Sequence, residues 1–294
     1  MRRPATLTSG TTDPGAIDRE HSALTVGNVP SRLIASRDGT PIAVFAEGAG
    51  PAILLVHGTA GDHTTFRVLG PLLAQARAVW AMDRRGRGAS GDTLPYSIER
   101  EFEDVSIVAQ TLAAESGDPI PVFGHSYGGR CALGAALLTA AIARVICYEG
   151  APAPAGHTYH PTGIEARLQR HLAAGDGDAL LAAFMTEIVG MTSEELDAYR
   201  ANPVWPARVA ATGTIPRELE AEAREGASLE RLGGVRQPVL QILGSASLPI
   251  FRDATTALEA RLADGRVVEI AGARHAAHHT HPDAVRQAVM TFIA

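Results

Sequence analysis

The chain has 294 residues and a formal net charge of -6, with 46% hydrophobic, 20% charged and 5% aromatic residues, a globular composition that excludes collagen-like and disordered classes. All 26 basic residues are Arg, which excludes Schiff-base chemistry on Lys, and the acidic balance leaves no electrostatic footprint for nucleic acid. Cys131 and Cys147 are too few for a disulfide framework or thiolate zinc cluster, and no apolar run approaches the roughly 18–20 residues of a membrane helix, so a cytoplasmic protein is expected.

Residues 1–28 begin Met1-Arg2-Arg3 and continue through Thr, Ser, Gly, Pro and Asp without the apolar stretch of a secretory signal, and they read as a mobile tail. Residues 31–36 and 41–46 are β-type runs around Asp38-Gly39, a dipeptide suited to a tight antiparallel hairpin. The apolar run 52–56 predicts a buried strand that ends at His57-Gly58. A helix over 69–76 and a strand over 78–82, ending in Asp83, come next. Ser97 can cap a helix reaching about residue 116, with acidic residues in its first turns where they complement the helix dipole. The spacing then predicts strand 120–123, helix 128–140 and strand 144–148.

Strands alternating with helices imply βαβ units and a parallel sheet covered on both faces. From about 151 to 236 the pattern turns helical, with helices expected over 163–174, 179–189 and 192–200. Strands return at 239–243 and 266–270, and a last helix runs over 282–293. The expected architecture is one α/β core of residues 29–150 and 237–294, a mostly parallel sheet opened by an antiparallel hairpin. A helical cap of residues 151–236 is inserted at the carboxyl ends of the strands, where ligands bind in such sheets.

The sharpest local signal is Gly124-His125-Ser126-Tyr127-Gly128-Gly129, a G-x-S-x-G run between an expected strand and an Ala/Leu-rich helix. Small residues let strand and helix approach closely, present the Ser126 hydroxyl at the sheet's edge and aim the helix N-terminus at developing negative charge. The backbone amides of Thr59 and Tyr127 would form an oxyanion hole if the strands before them are neighbours. His57, at a strand end, reads first as loop scaffolding and second as a contact to substrate. The general base is expected late in the chain, and His275 in Gly272-Ala273-Arg274-His275 directly follows the last strand. His275, His278, His279 and His281 also raise a metal reading. No H-E-x-x-H spacing supports it, and these residues are expected on a loop, so neither metal nor cofactor is called for.

With these residues in view, the chain resembles the α/β-hydrolase fold family over about residues 31–294, looking most like bacterial serine esterase, haloperoxidase-like and C–C hydrolase members. The resemblance makes Asp83 and Arg87, in Asp83-Arg84-Arg85-Gly86-Arg87-Gly88-Ala89-Ser90, parts of loop architecture. It also implies a triad Asp after the penultimate strand, but there the run is Gly244-Ser245-Ala246-Ser247, with Ser247 in the acid's place. Asp253 is expected inside the next helix and poorly aimed. Glu149, in Tyr148-Glu149-Gly150, ends the strand where some members carry their acid. It is the candidate third member, since orienting an imidazole depends on geometry and not on chain order; its alternative role is a pocket-wall or hinge carboxylate.

The implied activity is cofactor-independent hydrolysis of a carboxylic ester, thioester or lactone of a small apolar molecule through an acyl-enzyme, with Ser126, His275 and Glu149 as the catalytic set. Phe184, Met185, Met191 and Trp205 could line an apolar pocket or simply pack the cap, and His157, Tyr159 and His160 could add polar contacts. A lyase, cyclase or perhydrolase on the same Ser and His, or a ligand-binding relic of the fold, remain as alternatives.

Overall fold

Strands β1 (Ala5–Leu7), β2 (Arg32–Ala35), β3 (Pro41–Glu47), β4 (Ala52–Val56), β5 (Ala78–Met82), β6 (Ile120–His125), β7 (Ile142–Tyr148), β8 (Val239–Gly244) and β9 (Gly265–Ile270) form one sheet. The structure is a computed structural model that describes residues 29–294 and, for residues 5–7, the backbone. Strand order is β1-β9-β8-β7-β6-β4-β5-β3-β2, with every pairing parallel except β2/β3 and β3/β5. The expected hairpin is therefore present, turning through Gly39 at φ +84°. The tail reading of residues 1–28 falls mostly outside the described residues, but Ala5–Leu7 adds a parallel edge strand to β9.

The sheet is covered on both faces because its central strands are apolar at successive positions. Ile53 and Leu55 of β4 pack with Leu69 and Leu73 of α1 (Leu69–Ala74) and with Val285 and Val289 of α12 (Pro282–Phe292). Leu54 and Val56 point the other way, onto α2 (Ile98–Ser116) and α3 (Tyr127–Ala136) through Phe102, Val105 and Leu133. Helix α2 begins where Ser97 accepts the Arg100 N–H and ends at Gly117, whose φ of +82° suits glycine. Cys131 and Cys147 are free, buried core thiols. Burial pushes the Cys147 thiol up to about 12, which makes it inert as a nucleophile.

Between β7 and β8 the chain forms α4 (Ile164–Ala173), α5 (Gly177–Glu187), α6 (Ser193–Arg200), α7 (Trp205–Ala210), α8 (Ile215–Glu222) and α9 (Leu229–Leu232). These helices share an apolar cluster of their own, including Ile164, Leu168, Leu180, Phe184 and Leu219, which among the described residues only Ala60 enters from the sheet side. The last three helices have four to eight residues each, too short for a helical period to stand out in the sequence.

Arginine–carboxylate pairs tie this insertion to the sheet domain: Arg208 to Asp62 at 2.6 Å, Arg217 to Asp92 at 2.8 Å and Arg274 to Glu195 at 3.0 Å. The deepest knot joins Arg84 and Arg87 to Glu218 of α8 and to Glu101 of α2, with all four side chains essentially out of solvent. Glu218→Ala would leave two buried guanidiniums facing one carboxylate, a loss of about 3–5 kcal/mol. Thermal denaturation should show a melting temperature lower by on the order of 10 °C, and an unchanged value would mean that the knot holds nothing.

Candidate active site

Strands β4 and β6 are parallel neighbours with Val56 opposite Gly124, while the chain leaves β4 for β5 on its other side. Loops after β4 and β6 thus diverge at a reversal of strand order, the place where a parallel sheet opens a crevice. Ser126 stands there at φ +54°, ψ -125°, between β6 and α3. Its N–H donates to Tyr148 O at 2.8 Å and its carbonyl accepts from Gly129 N–H at 2.8 Å, so β7 and α3 hold the turn. Two glycines make that turn possible. A Cβ on Gly124 would lie 2.3 Å from Gly128 O, and one on Gly128 would lie 2.3 Å from Val56 O.

The three non-glycine residues with positive φ among the described residues are Ala60, Ser126 and Glu149, at +55°, +54° and +45°. They mark the loop after β4, the turn after β6 and the end of β7. Strain of about 1–3 kcal/mol at each is held by packing around one crevice.

His275 and Glu149 meet across it. The Glu149 carboxylate, fully buried, accepts from His275 Nδ1 at 2.6 Å through Oε2, and from Gly244 N–H at 2.8 Å and the Ser247 hydroxyl at 2.5 Å through Oε1. Ser247, which occupies the position where the family resemblance implied an acid, is thus a donor to Glu149. Asp253 lies exposed on α10 (Pro249–Glu259). The His275 ring is flanked by Phe251 at 4.5 Å and His125 at 4.7 Å, centroid to centroid. Its backbone carbonyl accepts from His125 Nε2–H at 2.9 Å. Tyr148 fixes the same loop, donating its hydroxyl proton to Arg274 O and accepting from Ala277 N–H at 2.7 Å.

A cavity of about 280 Å³ opens beside Ser126 and His275, and Thr59, Phe184, Met185 and Met191 also line it. Tyr127 turns its phenol away into the core, 2.9 Å from the Tyr96 hydroxyl, leaving its N–H at the start of α3, where a helix offers no internal acceptor. His57 and Trp205 are not on the cavity wall. His57 donates from Nδ1 to Gly58 O at 2.8 Å and accepts the Arg84 N–H at 3.0 Å on Nε2, so both nitrogens brace loops. Trp205 packs inside the insertion and donates Nε1–H to Asp178 at 2.8 Å. The possible polar contacts also lie elsewhere: Tyr159 donates to Ala151 O at 2.5 Å, and His160 sits 3.1 Å from Glu165.

His125, His278, His279, Arg67 and Arg208 also line the cavity, although nothing in the sequence alone marks them as substrate contacts. His125 occupies a variable position of the G-x-S-x-G run. His278 and His279 were expected on a loop, but they sit on the one-turn helix α11 (Ala277–Thr280). The available signal was the His cluster itself, set aside together with the metal reading.

Burial holds the imidazoles of His57 and His278 well below their ordinary range, helped by nearby Arg84 and Arg87 for the first and by His279 for the second. Such a group is neutral when folded and takes up a proton on unfolding below about pH 6.5. Its stabilising contribution is complete above that pH and is lost as pH falls toward the folded-state value. Each contributes a slope of up to about 1.4 kcal/mol per pH unit. Melting temperature should therefore drop between pH 7 and pH 5, above the carboxylate range, and a flat profile there would contradict this assignment.

Residues 53–288 match the family model described as the alpha/beta hydrolase family. The fold is similar to an alpha/beta hydrolase from Sphaerobacter thermophilus, 30% identical with a TM-score of 0.76, covering 90% of this chain and 100% of that one. An esterase from Exiguobacterium antarcticum, 20% identical with a TM-score of 0.73, shares the fold over 89% of this chain and 98% of its own. Among curated proteins, the probable oxidoreductase EphD of Mycobacterium tuberculosis is 36% identical over 103 residues, 33% of this chain but 17% of that protein. The polyketide synthase ThaQ of Burkholderia thailandensis is 26% identical over 91% of this chain, which spans 13% of it. None of the helices among the described residues is long and apolar enough to cross a membrane. With its crossover, its serine turn and a family match over most of its length, the chain belongs to the alpha/beta hydrolase family.

Proposed function

We propose that this protein is a hydrolase that cleaves a carboxylic ester, thioester or lactone of a small, largely apolar molecule through an acyl-enzyme on Ser126. The observation that carries the reading is the 2.6 Å contact of Glu149 with His275 Nδ1, on a histidine that shares a cavity wall with Ser126. In this mechanism Glu149 keeps the His275 proton on Nδ1, leaving Nε2 to take the Ser126 hydroxyl proton as Oγ attacks the substrate carbonyl. The N–H groups of Thr59 and Tyr127 hold the oxyanion. His275 returns its proton to the departing alcohol or thiol; a water then loses a proton to His275 as its oxygen attacks the acyl carbon, and His275 passes that proton to Oγ as the acid leaves and Ser126 is restored. Residues 151–236 act as the cap that selects the substrate, and the buried free thiols fit a cytoplasmic location.

A fluorophosphonate probe should modify Ser126 in active protein, and a panel of p-nitrophenyl esters, thioesters and lactones should be hydrolysed. Active protein with an unlabelled Ser126 would overturn the mechanism. A product formed without uptake of water would assign lyase or cyclase chemistry to the same residues.

A further inference from the structure

Residues 245–251, which leave β8 and enter the first turn of α10, meet the catalytic set at two points. Ser247 donates to Glu149, and Phe251 lays an aromatic face on the base. The Phe251 ring stacks on the His275 imidazole, with centroids 4.5 Å apart and planes 25° from parallel. Phe251 is 5% exposed, yet it belongs to none of the three apolar clusters among the described residues. Its ring contacts are His275 and, at 5.3 Å, Tyr159. Building on the acyl-hydrolase reading above, we infer that Phe251 is a positioning residue for the base: its π face holds the His275 ring toward Ser126 and stabilises the imidazolium that forms as Ser126 attacks.

The contact matters because His275 changes charge during the reaction. As Ser126 Oγ bonds to the acyl carbon, its proton passes to His275 Nε2 and the imidazole becomes a cation. An aromatic face attracts a cation more strongly than a neutral ring, so it contributes more to the transition state than to the ground state. Glu149 meets the imidazole at its Nδ1 edge and leaves the face to Phe251. The neighbouring imidazoles bring no charge of their own: burial, helped by His275 for His125 and by His279 for His278, holds both well below their ordinary range. Tyr148, its ring 6.2 Å from that of His275, has its hydroxyl engaged by Arg274 O and Ala277 N–H. Phe251 is itself well held. Its N–H donates to Leu248 O at 3.0 Å. Its neighbour Tyr159 is anchored by Ala151 O at 2.5 Å and by the Arg130 guanidinium, 4.9 Å over its ring. Arg130 in turn pairs with Glu222 of α8 at 2.5 Å, so a fixed ring bears on His275.

The test replaces Phe251 by amber suppression with mono-, di- and trifluorinated phenylalanine, a series that keeps the ring's shape while withdrawing electron density from its face. On a p-nitrophenyl ester that the wild-type protein hydrolyses, kcat should fall with each added fluorine, by about three- to tenfold for the trifluorinated ring, with KM and melting temperature nearly unchanged. Phe251→Leu, which lacks the face altogether, should lose at least about tenfold in kcat. A kcat that stays level along the fluorinated series, or a loss that follows melting temperature and not fluorine content, overturns the role of Phe251 and leaves the hydrolase reading in place. Where the wild-type protein hydrolyses none of the esters, the rate of fluorophosphonate labelling of Ser126 replaces kcat, with the same decline expected and a level series again overturning the role. Wild-type protein that neither hydrolyses nor labels removes the acyl-enzyme and the role of Phe251 together.

Discussion

Ser126→Ala is expected to lower kcat on any ester the wild-type protein hydrolyses by at least about 10⁴-fold, with melting temperature nearly unchanged. The expectation of a folded protein rests on how the residue is held. Its two turn hydrogen bonds, to Tyr148 O and from Gly129 N–H, belong to the backbone and survive loss of the hydroxyl. The close packing of the turn belongs to Gly124, Gly128 and Gly150, the last lying so near that a Cβ on it would meet Ser126 O at 2.4 Å. What disappears is the atom that would become acylated. The remaining oxyanion donors and cavity leave some acceleration over water. Steady-state rates with a chromogenic ester, measured beside a melting curve, make the comparison, and retention of even a tenth of wild-type turnover would dismiss Ser126 as nucleophile.

Glu149→Gln should reduce kcat by about 10⁴-fold with little change in KM, the size of effect seen when a triad carboxylate of another enzyme is made an amide. In the wild-type structure Oε2 faces His275 Nδ1, while Oε1 takes the Gly244 N–H and the Ser247 hydroxyl. A glutamine in that place keeps its oxygen toward the two donors and turns its amide toward His275. The amide donates to Nδ1, so the imidazole proton moves to Nε2 and no lone pair faces the serine. Loss of the carboxylate also removes the charge that steadies the imidazolium formed during acylation. Glu149→Asp keeps the charge but shortens the reach, and it should fall between the two. A merely structural carboxylate would instead alter the melting curve while leaving kcat in place.

Much of this architecture was readable from local pattern. The apolar runs that became β4 and β5 end where expected because His57 and Asp83 interrupt them. The turn at Ser126 was legible because small residues at 124 and 128 have no other reason to flank a serine between strand and helix. Other boundaries moved for identifiable reasons. Strand β6 continues through His125, since pairing with β7 extends to Tyr148 and overrides the local glycine. Trp205 stays open in the sequence between pocket wall and cap core, because an aromatic residue on a helix does not reveal which side of the helix is already packed.

The sequence by itself determined the alternating α/β core and the Ser126 turn, because each is written in periodicity or in residues adjacent along the chain. It also nominated His275 and Glu149, but by position alone. Only the tertiary structure decided that Glu149 reaches His275, that Ser247 supports Glu149 instead of replacing it, and that Arg67 and Arg208 share a wall with Ser126. These groups come from segments as far apart in the chain as Arg67 and His275, and their juxtaposition arises from strand order and loop packing, for which no local pattern codes.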